Sequence, residues 1–277
     1  YQPSTGQTSC LDSSPGYYVG TTAATNQTAC GLGTYQPNSG QISCIDASPG
    51  NYVNTTAATN QTACDLGTYQ PLSGQTSCLE APAGTYVDTT GANSTIDCPP
   101  GEYQPDVGQT SCIDADAGYH VPTAGSTNQT ACPPGTYQPS TGQASCIDAS
   151  VGYYVPSSGA LVQTPCPPGT YQPLTGQTSC IDSDAGYYVD ISGSASQFAC
   201  DLGTYQNQSG QIGCIDAPAG YFVNTTAATN PTACDIGTFQ PNTGQTGCLI
   251  ATPGHYVGTN GSAVQTPCPS GTYNPLS

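Results

Sequence analysis

Apolar residues along this chain never settle into a 3.6-residue period, because a glycine or proline interrupts every few positions, so helix is not expected. The β-formers Tyr, Val, Thr and Ile instead gather in runs of three or four between turn residues, which predicts short antiparallel strands. Within residues 33–49, GTYQPNSGQISCIDASP, the runs Thr34-Tyr35-Gln36 and Gln41-Ile42-Ser43 flank Pro37-Asn38-Ser39-Gly40. Proline preset for the second turn position and glycine for the fourth predict a tight hairpin there.

The pattern repeats without slippage. Glycines from Gly16, Gly33 and Gly50 to Gly254 and Gly271 are 17 residues apart, and almost all begin Gly-x-aromatic. Cysteines stand at 10, 30, 44, 64, 78, 98, 112, 132, 146, 166, 180, 200, 214, 234, 248 and 268, with gaps alternating 20 and 14. The module is therefore 17 residues long in two alternating versions, and the full period is 34. Cut at the glycines, the sequence gives a partial repeat 1–15, repeats 16–49, 50–83, 84–117, 118–151, 152–185, 186–219 and 220–253, and a partial repeat 254–277. No loop in eight periods has gained or lost a residue, whereas enzymes and one-off binding sites are usually made by letting loops grow. The expected architecture is all-β, small and disulfide-rich: an elongated tandem-repeat rod of short β-hairpin modules. A β-solenoid with one 17-residue turn per coil is the alternative.

A module of this size cannot stand alone. Ordering each residue costs about 1–2 kcal/mol of backbone entropy, against one or two aromatics and a few Val, Ile or Leu worth ~1.5–3 kcal/mol apiece. Stacking on neighbours must supply the rest. Gln7, Gln41, Gln75, Gln109, Gln143, Gln177, Gln211 and Gln245 follow the turn glycine in every period, and are read as side-chain clamps on backbone or on the next module.

Composition points outside the cell. The chain has no Lys, Arg, Met or Trp and a formal charge of −17, which excludes nucleic acid and anionic membrane as electrostatic partners. No stretch approaches the ~20 apolar residues of a membrane span, so insertion by this window is not expected, and any leader or anchor would lie outside it. Sixteen cysteines at fixed spacing in a Gly-, Pro-, Ser- and Thr-rich chain read as disulfides in an oxidising compartment; no Cys-x-x-Cys pair supports a metal.

The 17-residue phase suggests the pairing. In one version, here called bridged, a cysteine stands three residues before the glycine and another eleven after it (Cys30 and Cys44 around Gly33). In the other, here called bare, Ser13 and Gln27 hold those places around Gly16. Joint loss of two cysteines is what discarding one bridge looks like. That pairs Cys30 with Cys44, Cys64 with Cys78, Cys98 with Cys112, Cys132 with Cys146, Cys166 with Cys180, Cys200 with Cys214 and Cys234 with Cys248. Partners of Cys10 and Cys268 would then lie beyond the two ends, supplied by a continuing chain or by a neighbour in a head-to-tail array. The rival pairing, Cys10 with Cys30 and onward across the 20-residue gaps, uses all sixteen and stays open.

The string CPPGTYQPSTGQASC, Cys132 to Cys146, resembles the ephrin-receptor-like cysteine-rich repeat, related in pattern to the first module of tumour-necrosis-factor-receptor cysteine-rich domains. Such units recur in extracellular proteins, including large surface proteins of algae and other protists. The resemblance implies a bridge from the cysteine before Gly-x-Tyr to the one about a dozen residues beyond, and extracellular scaffolding rather than chemistry. It is strict only in alternate modules, since Ser13 or Ala47 replaces one cysteine of each pair and Gln27 or Gln61 the other.

Catalytic candidates are few. His120 and His255 lie inside Gly-x-aromatic triplets, where they replace a ring with a ring. Abundant Ser and Thr have no base at repeated reach and no cation to hold an oxyanion, so no enzyme is expected, and no cofactor. Asp12, Asp46, Asp114, Asp148, Asp182 and Asp216, with Glu80 and Ile250 at the remaining equivalent places, read as a solvated edge; calcium bridging between molecules is a weak alternative without an EF-hand or glycine-aspartate nonapeptide pattern. Asn-x-Ser/Thr triplets at Asn26, Asn54, Asn60, Asn93, Asn128, Asn207, Asn224 and Asn260 are candidate N-glycosylation sites, seven of them in bare modules. Ser and Thr beside proline add candidate O-glycans.

The functional expectation is a structural subunit of an extracellular glycoprotein filament (a surface hair, sheath or fibril) that self-associates head to tail. A repeat stalk of a receptor or adhesin is the first alternative. An ice- or mineral-binding lattice is the second, built on Thr21-Thr22, Thr55-Thr56, Thr89-Thr90 and Thr225-Thr226 but broken at Val121-Pro122 and Pro156-Ser157.

Overall fold

The structure, a computed structural model, describes residues 1–273; the last four residues of the partial repeat 254–277 lie outside the described residues. Among the described residues there is no helix, and every strand is two residues long. Strands pair antiparallel in fifteen separate two-stranded sheets, one per module. In the first bare hairpin β1 (Tyr17–Tyr18) pairs with β2 (Thr28–Ala29), and in the first bridged one β3 (Thr34–Tyr35) pairs with β4 (Ile45–Asp46). Pairing within the module makes this an all-β tandem array of disulfide-linked hairpins rather than a parallel-coil solenoid. By backbone proximity the chain forms two compact units, Tyr1–Ala131 with Ser140–Cys146, and Cys132–Pro139 with Ile147 onward. Each unit is built of the same hairpins, stacked in the same way.

The hairpin is wider than the turn chemistry predicts. Thr34 faces Asp46 and Tyr35 faces Ile45, so the tip runs from Gln36 to Cys44 and not merely over Pro37–Gly40. The expected strands 34–36 and 41–43 do not form, because their backbone groups are used elsewhere. The Gln36 N–H donates to the Ala58 carbonyl (3.0 Å), the Gln41 carbonyl accepts the Val19 N–H (2.9 Å), and the Gln41 N–H donates to Ser13 Oγ (3.0 Å). Tertiary bonding outranks local turn preference here, since each buried amide needs a partner wherever it can find one.

These bonds stack the hairpins. Within each unit a hairpin's first glycine donates to the next hairpin: Gly16 to the Gln36 carbonyl at 2.7 Å, Gly33 to the Val53 carbonyl at 2.8 Å. A second set reaches one hairpin further, from like to like. Gly40 donates to the Ser13 carbonyl and Ala57 to the Cys30 carbonyl, both at 2.9 Å, and Ser13 and Cys30 each end a hairpin of the same version. Bare hairpins thus stack on bare ones and bridged on bridged, two columns in each unit sharing an interior. The approach is so close that a Cβ on Gly33 would lie 2.2 Å from the Gly74 carbonyl oxygen, and φ of +80° at Gly33 and +69° at Gly74 favours glycine at both places.

The interior is made of small residues. Cys30, Cys64 and Cys98, Ala47, Ala81 and Ala115, and Val53, Val87 and Val121 are buried, and so are the repeating glycines between them. Tyrosines are mostly half-buried against the hairpin faces. The Ile and Leu that follow the second cysteine of each period lie outside it: Leu11, Ile45, Leu79, Ile113, Ile147, Ile181, Ile215 and Leu249 are 44–51% exposed. Backbones separated by one glycine leave room for valine but not for the longer Ile and Leu side chains, which lie on the hairpin surface.

Candidate functional site

The joints between hairpins carry the chain's chemistry. Cys30 is bonded to Cys44, Cys64 to Cys78, Cys98 to Cys112, Cys166 to Cys180, Cys200 to Cys214 and Cys234 to Cys248, each across 14 residues with Cα atoms 5.7–5.8 Å apart. That separation lies in the ordinary range for a disulfide. Cys132 and Cys146 are disulfide-bonded too. Within each unit a bridge ties the end of a bare hairpin to the returning limb of the bridged one after it. No cysteine of a 20-residue gap such as Cys44 and Cys64 meets its gap partner, since both are bonded elsewhere. Cys10 and Cys268 are free thiols, Cys10 exposed and Cys268 half-buried.

At the bare joints a hydrogen bond stands where the disulfide was. Gln27 Oε1 accepts the Ser14 N–H at 2.8 Å, Gln61 that of Ser48 at 2.7 Å, and Gln129 that of Asp116 at 2.6 Å. Gln163, Gln197 and Gln265 do the same with Ser150, Asp184 and Thr252. The two remaining bare hairpins have Pro82 and Pro218 at the donor position, where there is no N–H. Their acceptor places hold Thr95 and Pro231 instead of glutamine. Glutamine is present wherever a donor exists and absent where it does not, which identifies the contact itself as what the residue serves.

A second glutamine, which turn reading passed over, does the buried clamping. Gln36 is 3% exposed; its Nε2 donates to the Ser43 carbonyl at 2.9 Å and its Oε1 accepts the Asn38 N–H at 3.2 Å, pinning both limbs of the wide tip. Gln70, Gln104, Gln172, Gln206 and Gln240 repeat the arrangement. The signal was available, because Tyr/Phe-Gln recurs in every complete bridged module as regularly as the Gly-Gln pair, with Tyr273-Asn274 only in the partial last one. Gln41, by contrast, clamps only its own turn, Nε2 to the Ser39 carbonyl at 3.0 Å, and reaches neighbours through its backbone.

The histidines are accounted for locally. His120 Nδ1 lies 3.1 Å from the Thr130 carbonyl across its strand pair, and 3.2 Å from Cys146 Sγ, a disulfide sulfur with no thiolate to offer a metal. His255 Nδ1 lies 3.1 Å from Thr252 Oγ1, but that hydroxyl donates its one proton to Gln265 Oε1, so the histidine has no proton to take from it. Asp12, Asp46, Glu80, Asp114, Asp148, Asp182 and Asp216 stand singly against the turn glycines two hairpins on; among the described residues no three carboxylates come together. All eight Asn of the Asn-x-Ser/Thr triplets are exposed. Among the described residues no helix is long and apolar enough to cross a membrane.

Repeated hairpins, tied by seven disulfides regularly spaced in sequence, define a cysteine-rich tandem-repeat protein of the extracellular kind. Four stretches, residues 16–64, 50–98, 84–132 and 186–234, match the model of a family described as tyrosine-protein kinase ephrin type A/B receptor-like. Together they cover more than half of the chain, and the chain belongs to that family. Each match begins on the glycine of a bare hairpin and ends on the first cysteine of a bridge, the natural seams of the stack. No curated protein matches the chain.

Proposed function

We propose that this chain is a structural subunit of an extracellular glycoprotein filament, a surface hair, sheath or fibril that grows by head-to-tail association. The observation that carries this reading is the sameness of the joints. The glycine-to-next-hairpin bond recurs from Gly16 to Gln36 and from Gly220 to Gln240 at the same 2.7 Å, with no inserted loop anywhere between. Stacking by backbone bonds leaves the same donors and acceptors on whichever hairpin lies outermost, so a second copy can extend the array with the contacts it already uses. Electron cryomicroscopy and sedimentation of the secreted chain test this: fibres that lengthen with concentration support it, and a monomer at every concentration sinks it. The family's receptor-like description favours a second reading, a repeat stalk that carries a binding head. A unique domain adjoining the repeats in the full transcript would favour that reading.

A further inference from the structure

Seven of the eight Asn-x-Ser/Thr triplets lie in bare hairpins, and bare hairpins stack on bare hairpins. We propose that the bare column of each unit is an N-glycosylated face, while the bridged column stays largely uncovered. This rests on the extracellular reading and goes beyond it by assigning the modified atoms and the side they occupy.

The hairpin presents its triplets in usable form. In Asn26-Gln27-Thr28 the middle residue is half-buried and its Oε1 accepts the Ser14 N–H, while Asn26 and Thr28 are both exposed. Asn60-Gln61-Thr62 and Asn128-Gln129-Thr130 repeat this, with Gln61 on Ser48 and Gln129 on Asp116. The joint is held by the glutamine side chain, whereas the two residues a glycosyl transferase must read are exposed and take no part in it, so sugar can be attached without opening the joint. Asn128 Nδ2 donates only to its neighbour Thr127 Oγ1, and Asn260 is held through Oδ1, which accepts the Ile236 N–H and leaves Nδ2 uncommitted.

The donor is a polyprenyl-diphosphate-linked oligosaccharide. The Asn Nδ2 attacks the anomeric carbon, the N–C bond forms as the carbon–oxygen bond to diphosphate breaks, one amide proton passes to a base of the transferase, and the lipid diphosphate leaves. The bridged column offers the contrasting face. At the place of Thr28, Thr62 and Thr130 it carries half-exposed Ile45, Leu79 and Ile147, each followed by an exposed carboxylate, and Asn207 is its one triplet.

The chain secreted from eukaryotic cells is treated with peptide-N-glycosidase in heavy-oxygen water, and its peptides and thiols are mapped. Heavy aspartate at 26, 60 and 128 is expected, with 207 the least labelled; unmodified asparagine at those three, or Asn207 occupied as fully as they are, overturns the proposal. Thiol state separates the two readings: closed disulfides with no sugar sink the glycan face alone, whereas open thiols with no sugar sink the extracellular reading with it. Carbodiimide labelling before and after sugar removal checks the sidedness. Asp88, on the bare hairpin that holds Asn93, should label several-fold faster once sugar is gone, and Asp46 on a bridged hairpin should not change. Equal gains at both overturn the one-sided arrangement.

Discussion

If a bare joint is a bridged joint with a hydrogen bond in place of its disulfide, the disulfide can be put back. Ala47 stands three residues before Gly50 as Cys30 does before Gly33, and both are fully buried; Gln61 holds the place of Cys44. The backbone at the two kinds of joint makes the same bonds, Gly33 to the Val53 carbonyl at 2.8 Å and Gly50 to the Gln70 carbonyl at 2.7 Å, so residues 47 and 61 are placed to accept a bridge. Ala47→Cys with Gln61→Cys closes a loop of about 15 residues, worth ~3 kcal/mol in the loop-entropy model. It forfeits the Gln61 to Ser48 hydrogen bond, about 1 kcal/mol, and Ser48 is exposed, so water takes over its N–H. The net gain of ~2 kcal/mol corresponds to roughly 30-fold less frequent local opening. Long repeat arrays need not unfold in one step, so hydrogen exchange of amides 48–62, oxidised against reduced, is a better readout than a single melting point. A non-reducing peptide map must show the 47–61 link. Open thiols at both positions under oxidising conditions, or a closed link that exchanges faster than the parent, would refute the equivalence of the joints.

The other expectations rest on the same contacts. Gln70→Ala should cost about 2–3 kcal/mol, because the Gln70 side chain is buried and its truncation removes two hydrogen bonds across the tip and leaves a cavity, while Gln75→Ala at the half-exposed turn should cost under about 1 kcal/mol; urea titration with exchange of the 68–80 amides ranks the two. Ala57→Gly should stabilise by about 0.5–1 kcal/mol, since Ala57 sits at φ +55° where the next bare hairpin has Gly91, and slower exchange around residue 57 reports it. Gly84→Ala should cost on the order of 3 kcal/mol or more, because its Cβ would lie 2.2 Å from the Gly125 carbonyl oxygen; secretion normal in yield and exchange would contradict the packing. Thr95→Gln alone should gain nothing beside Pro82, yet together with Pro82→Ser it should show a coupling of about 1 kcal/mol in a double-mutant cycle, and strict additivity would remove glutamine from the joint.

Much of the architecture was legible because it is written sixteen times. Glycine spacing set the module, the alternating loss of paired cysteines set the 14-residue bridge, and the scarcity of apolar residues required stacking. What escaped was the destination of backbone bonds. Pro37-Asn38-Ser39-Gly40 carries the right residues for a tight turn, but nothing local reveals that Gln36 and Gln41 spend their amides on residues 58 and 13. The same blindness hid which aliphatics are buried: the valines are, while Ile45 and its equivalents are 44–51% exposed. The role of Gln61 was half visible: its replacement of a cysteine could be read directly, but its pairing with Ser48 needed the structure before the Pro82 and Pro218 exceptions could be recognised as support.

The absence of insertions then acquires a physical cause. Along a bridged hairpin, the amide of Gln36 goes to the next hairpin and that of Gly40 to the hairpin two before, with Asn38 and Ser43 held between them by the Gln36 side chain. The longest stretch of the tip without an external bond is Pro37-Asn38-Ser39, and its middle residue is clamped from inside. One added residue would shift either the Gly40 bond or the Gln41 bond out of register, and it would do so against a carbonyl that a Cβ could not approach without collision. Each lost pairing leaves a backbone group unmet between stacked hairpins, at about 1–3 kcal/mol. A stack bonded this densely has no slack loop in which a pocket could grow. Apart from small exchanges such as buried Ser13 for Ala47, variation falls on outward-facing side chains, and there the chain places its asparagines, threonines and carboxylates.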